Sequence, residues 1–188
     1  MALKSKTEFK DVFVGVSSVL YQKNAPTVSG DVMSLDPEYD LPVTVDTLQI
    51  SQDDPTINHY KVLGLDGDWT STSTLGDATI QFTVPSKAVD VLKLAYGNDA
   101  VDASKTATST DVSGTTFDVV SVVRKKKKVT GTFILVSEDG ENRLVLEGAA
   151  LWAKLILDNA TQEPIAVQFS GTLEITDGAS FHFLKKKK

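Results

Sequence analysis

Residues 79–98, TIQFTVPSKAVDVLKLAYGN, place a strand, a breaker, a helix and a stop signal in direct succession. Ile80, Phe82 and Val84 alternate with Thr79, Gln81 and Thr83, the period of a half-buried strand. Pro85 cannot donate to a ladder and ends that strand. Ser86 predicts a helix cap, since its hydroxyl can accept a hydrogen bond from a free N–H of the first turn. Asp90 lies near that turn, where the helix dipole favours negative charge. Ala88, Val89, Leu92, Ala95 and Tyr96 give one apolar face, and Gly97 supplies a left-handed stop. A helix over 86–96 is too short to stand alone in water. It has to dock on something, and the rest of the chain offers sheet.

Along the chain, Val12, Val14 and Val16 alternate, predicting a first strand over 8–16 that can continue to Tyr21. Residues 22–42 hold Pro26, Gly30, Pro37 and Pro42 and read as an extended loop. Residues 43–50 suit a strand whose phase changes near Asp46, the mark of a bulge. Strands are expected over 57–65 and in the Thr/Ser-rich 69–75, joined by the Asp66-Gly67-Asp68 turn. Residues 99–114 have no apolar period and read as a second long loop. Strands follow at 117–123 and 129–136, then the Asp139-Gly140 hairpin, 143–147, and an alternating stretch from Leu151 to Leu157. Gly148 and that alternation favour strand over helix here. Val167, Phe169, Gly171, Leu173 and Ile175 face one way, and Gln168, Ser170, Thr172, Glu174 and Thr176 the other. After an Asp177-Gly178 turn, 181–184 forms the last strand. The fold expected is mainly β: a single domain over 1–188, antiparallel, sandwich-like or barrel-like, with one short flanking helix.

Charge is unevenly distributed. Of 19 basic residues, nine fall in two runs: Arg124, Lys125, Lys126, Lys127 and Lys128, and the tail Lys185, Lys186, Lys187 and Lys188. That leaves 10 basic against 25 acidic residues elsewhere, a balance of −15, which argues against tight wrapping of nucleic acid. Each run suits either a solvated turn or tail, or a docking point for an acidic neighbour. There is no cysteine, so disulfides and thiolate chemistry are excluded. The N-terminus has no apolar core of a signal peptide, and no run approaches a membrane span.

Catalytic patterns are not found. His59 and His182 are far apart and have no Cys or His at ligand spacing. Asp66 and Asp68 read as turn residues rather than a calcium loop, and Asp53 and Asp54 as turn caps. Asn159-Ala160-Thr161 matches a glycosylation sequon, a pattern common by chance. Trp69 and Trp152 read as core or interface anchors. The reading is therefore non-enzymatic, with no cofactor and no metal.

One resemblance follows from the order of parts. The turn-rich ISQDDPTI over 50–57 leads to a strand, a Gly-Asp turn and IQFTVP over 80–85. A short helix ending at Tyr96-Gly97, a hairpin at Asp139-Gly140 and a strand ending Phe169-Ser170-Gly171-Thr172-Leu173 complete it. Over roughly 43–183 this resembles the tail tube proteins of tailed bacteriophages and the inner-tube proteins of contractile injection machines. The resemblance implies six copies closing into a ring, and rings stacking into a tube in the virion tail, assembled in the host bacterial cytoplasm. Its partners would be itself, a tape measure protein, other tail proteins, and DNA only in transit, with no membrane. An acidic wall would let DNA pass without sticking. Candidate contacts between copies are the two basic runs, with Asp31, Met33 and Leu35 of the first long loop. The alternatives are another virion part (a tail terminator or capsid decoration protein), a carbohydrate-binding or adhesin sandwich, or a carbohydrate-active enzyme with paired carboxylates.

Overall fold

The computed structural model describes residues 12–64, 66–108, 115–157, 164–174 and 181–187. These residues are mainly β, with antiparallel sheets and one short α-helix. In chain order the first strands are β1 (Ser18–Gln22), β2 (Thr27–Ser29), β3 (Val32–Ser34), β4 (Tyr39–Leu41), β5 (Gln49–Gln52), β6 (Thr56–Tyr60) and β7 (Thr70–Thr74). Then β8 (Ala78–Val84) leads into α1 (Val89–Tyr96), a 3-10 turn at Asn98–Ala100, and β9 (Val101–Thr108). The rest is β10 (Thr116–Val122), β11 (Lys128–Val136), β12 (Asn142–Ile156), β13 (Ala166–Leu173) and β14 (Phe181–Lys185). The main sheet runs β4-β1-β11-β12-β13-β8-β5, with β14 also on β12. Three pairs, β2–β3, β6–β7 and β9–β10, form separate two-stranded sheets. The main sheet has free ends at β4 and β5, so closure into a barrel is not seen among the described residues.

The chain divides into two compact units. One comprises the described parts of Met1–Pro42, Gly131–Gly148 and Ile175–Lys188; the other comprises those of Val43–Thr130 and Ala149–Glu174.

In the second unit, β13 lies between β12 and β8. Phe169 pairs in register with Phe82, and their rings stack with centroids 5.2 Å apart. Both rings are fully buried, as are Ile80, Val84, Val167 and Leu151. The expected two-residue periods of β8 and β13 therefore hold: one face of each strand is core. The helix starts later than the Ser86 cap predicts. Ser86 Oγ accepts from the Ala88 N–H at 3.1 Å, so it shapes the turn after Pro85, while Ala88 stands at the helix N-cap without a side-chain bond. The buried face is Val91, Leu92, Leu94 and Ala95, rotated from the predicted one. Gly97 ends the helix at φ 103° and ψ 152°, an extended conformation that only glycine adopts freely, and its N–H reaches Lys93 O at 2.9 Å. The strand expected over 43–50 is only β5; Asp46 sits at φ 68° in a turn closed by Thr47 on Thr44 O. Residues 99–114 are not simply a loop, since β9 pairs with β10 along a backbone ladder; 109–114 lie outside the described residues.

In the first unit, β1 lies between β4 and β11. It begins only at Ser18; Val12 and Val14 stay exposed and form no strand. Tyr21 packs on Phe133, its register partner, with ring centroids 5.2 Å apart. The loop predicted over 22–42 contains β2, β3 and β4. What organises it is the buried Gln22 amide. Its Nε2 donates to Asn24 O at 2.9 Å, and its Oε1 accepts from the Asp36 N–H at 3.0 Å, so one side chain ties both ends of the segment between them. Residues 143–147 and 151–157, read as separate strands, lie, apart from Leu157, on one 15-residue strand, β12. Its residues 142–146 pair with β14 and 149–156 with β13, and Gly148, at φ 72°, sits between the two stretches. The Asn159 sequon and the Asp177-Gly178 turn lie outside the described residues.

Phe169→Ala should cost about 3–5 kcal/mol of stability, while Gln168→Ala should cost under about 0.5 kcal/mol, both read from urea unfolding. Equal costs would mean the β13 phase is wrong. A second expectation concerns alkali. Burial, helped by Glu38 and Tyr39, pushes the Tyr21 phenol up to about 12 from 10.0. Between these values the unfolded chain binds fewer protons than the folded one, so stability falls as pH rises through that window. Tyr21→Phe should raise the midpoint of alkaline unfolding and remove a phenol that ionises at about 12 from an absorbance titration of the wild type. A Tyr21→Phe titration that superimposes on the wild type above about pH 11 would contradict it.

Candidate functional site

The basic run at 124–128 bridges β10 and β11, and the structure divides it in two. Lys125 Nζ pairs with Asp99 Oδ2 at 2.8 Å, and its hydrogen bond and charge hold the Asp99 carboxyl below the usual range. Lys127 Nζ donates to Lys93 O at 3.3 Å and Leu94 O at 3.1 Å, carbonyls in the last turn of α1, the first of which also accepts from the Gly97 N–H. A cation there also meets the negative end of the helix dipole. Lys128 pairs with Glu174. Arg124 and Lys126 remain exposed, with no partner among the described residues. Part of the run is thus an internal clasp on the helix end, leaving two outward cations.

The tail candidates sit at the end of β14. Lys185 closes the strand, Lys186 donates its N–H to Glu141 O at 2.8 Å, and Lys187 is exposed; Lys188 lies outside the described residues. Asp31, Met33 and Leu35 sit on and after the β2–β3 hairpin, whose two-residue turn is Gly30-Asp31. Asp31 is exposed, and Met33 and Leu35 are half-buried. Within the first unit, the β2–β3 hairpin and β14 are not paired with each other among the described residues.

The strands expected over 57–65 and 69–75 do pair, as β6 and β7, but their full exposure was not expected. All ten strand residues of the β6–β7 hairpin are exposed. It nevertheless carries Ile57 and Tyr60, and the loop that joins its strands holds Leu63 and Trp69, the latter 66% exposed with its backbone N–H on Tyr60 O at 2.8 Å. His59 Nδ1 and Asp68 Oδ2, 2.5 Å apart, tie the hairpin end. A two-stranded ribbon is marginal in water by itself, and aromatic surface left in solvent is costly. Trp69 is therefore no core anchor, and Trp152 is half-exposed too. The available signal was in the composition: TSTST has no apolar side to bury.

Two imidazole–carboxylate pairs are seen among the described residues, His59 with Asp68 and His182 with Glu147. His182 Nε2 lies 3.2 Å from Glu147 Oε2, a partly buried pair on neighbouring strands. A shallow depression of about 320 Å³ over β5, β8 and β13 is walled by Gln49, Ser51, Thr79, Gln81, Ser170 and Thr172, with no carboxylate or imidazole in its lining. Among the described residues no three metal-ligating side chains come together, and no helix is long and apolar enough to cross a membrane. No family model, curated protein or solved structure matches the chain.

Lys127→Gln should lower stability by about 1 kcal/mol and speed amide exchange in the last turn of α1, because two helix carbonyls lose a charged donor. Lys126→Gln should change stability by under about 0.5 kcal/mol. The reverse ranking would show that the clasp is not formed.

Proposed function

We propose that this chain is a structural subunit that assembles with copies of itself, of the bacteriophage tail tube type. Rings, hexameric on this reading, stack into a tube whose acidic or neutral lumen passes the tape measure protein and then DNA. The protein works without catalysis, cofactor or metal, in a virion tail assembled in the bacterial cytoplasm. The observation that carries the reading is the β6–β7 hairpin. A ribbon with every strand residue in solvent and an exposed Ile, Tyr and Trp needs a surface to lie on, and a neighbouring copy provides one in a repeating assembly. The acidic excess outside the basic runs supports transit of DNA over binding of it. The half-internal basic run supports a modest electrostatic role between copies, carried by Arg124 and Lys126.

Negative-stain microscopy and sedimentation of the purified chain test this. Wild type should form rings or tubes. Ile57→Asp combined with Trp69→Asp should leave a folded protein, by circular dichroism, that no longer stacks. A wild-type protein that stays a uniform monomer at high concentration overturns the reading. Tubes from the double variant would remove the hairpin as its basis.

A further inference from the structure

We infer that two of the open sheet edges, β4 and β14, pair with each other between copies of the chain, head to tail. The inference rests on the assembly reading above and supplies it with an interface.

Both edges belong to the first unit. There β4 flanks β1 and β14 flanks β12, and among the described residues neither strand has a second neighbour. A strand edge presents unpaired N–H and C=O groups, the template on which another strand adds. The two edges carry opposite charge. Leading into and along β4 are Asp36, Glu38 and Asp40, all exposed. Closing and following β14 are Lys185, Lys186 and Lys187, all exposed. Each edge also offers an aromatic side chain to solvent: Tyr39 on β4, and Phe183, 78% exposed, on β14. An aromatic on each side, rimmed by complementary charge, is what a protein partner fits.

The charges also select the partner. Two copies meeting β4 to β4 would set Glu38 and Asp40 against their own kind. Two copies meeting β14 to β14 would set lysines against lysines. Like charges directly opposite are destabilising, so both symmetric pairings are disfavoured. Of the pairings between these two edges, the mixed one remains. It uses different patches on the two copies, so it is heterologous and propagates into a closed ring or an open filament rather than stopping at a dimer. Pro37 and Pro42 bracket β4 and keep the added ladder short, so each contact is weak and assembly depends on concentration.

Charge reversal tests this directly. One variant carries Lys186→Glu with Lys187→Glu. The other carries Asp36→Lys with Glu38→Lys, which gives up the 3.2 Å bond from the Lys23 N–H to Glu38 Oε1, while Asp40, whose Oδ1 accepts from Ser18 Oγ at 2.6 Å, is kept. Each variant alone should lose at least about tenfold in apparent assembly affinity by sedimentation. An equimolar mixture should recover wild-type assembly, since every acidic edge then meets a basic one, and the recovery itself shows that both variants are folded. If either variant alone assembles like wild type, or the mixture of folded variants does not recover, the edge pairing is overturned while the hairpin reading stands on its own test. A wild type that does not assemble overturns both.

Discussion

The stacked pair of Phe82 and Phe169 is the contact on which the second unit depends. The two rings sit on register partners of adjacent strands, so one contact fixes the pairing of β8 with β13 and the face each turns inward. Slipping the register by one residue would move Phe169 to the wet side and bring Gln168 into the core. β8 runs through Pro85 into α1, so the same contact also sets where the helix begins its approach to β13 and β9. The Lys127 clasp then secures the far end of the helix.

Strands with one dry face were legible. Residues 78–84 and 166–173 have alternate apolar side chains because half of each strand is core, and the period survives in the sequence. Strands held only by a backbone ladder were not. Val101–Thr108 and Thr27–Ser29 bury almost nothing, so no apolar period marks them; backbone hydrogen bonds leave no trace in side-chain order. The valines at 12, 14 and 16 show the converse: they alternate, yet they stay exposed and form no strand, with Gly15 at φ 61° among them. At the candidate surfaces, the lysines stood out but their partners did not. Asp99 and Glu174 lie 26 and 46 residues away, and the partners of Lys127 are main-chain carbonyls, which every residue has.

The molecule divides its hydrogen-bonding surface sharply. The main sheet buries an aromatic and aliphatic core, while the β6–β7 ribbon and the β4 and β14 edges leave strand surface to solvent. A monomeric protein ordinarily blunts such features with prolines, charge and short strands. Some of that blunting is present here, in Pro37 and Pro42 and in the lysine tail. Charge has opposite sign at the β4 and β14 edges, Asp36, Glu38 and Asp40 at the first and Lys185, Lys186 and Lys187 at the second, so neither edge matches its own kind.

The Gln22 amide has a practical consequence for anyone wishing to decorate this protein. It fastens the segment at Asn24 and at Asp36, with Thr132 Oγ1 adding a bond to Asn24 O at 3.2 Å. The Gly30-Asp31 tip beyond that knot is exposed and closes only its own ribbon. The entropy of a longer loop grows only as the logarithm of its length, and the knot keeps that slack from reaching β1. The tip is therefore the natural graft point for a peptide tag or a small foreign domain, with the sheet beneath left undisturbed.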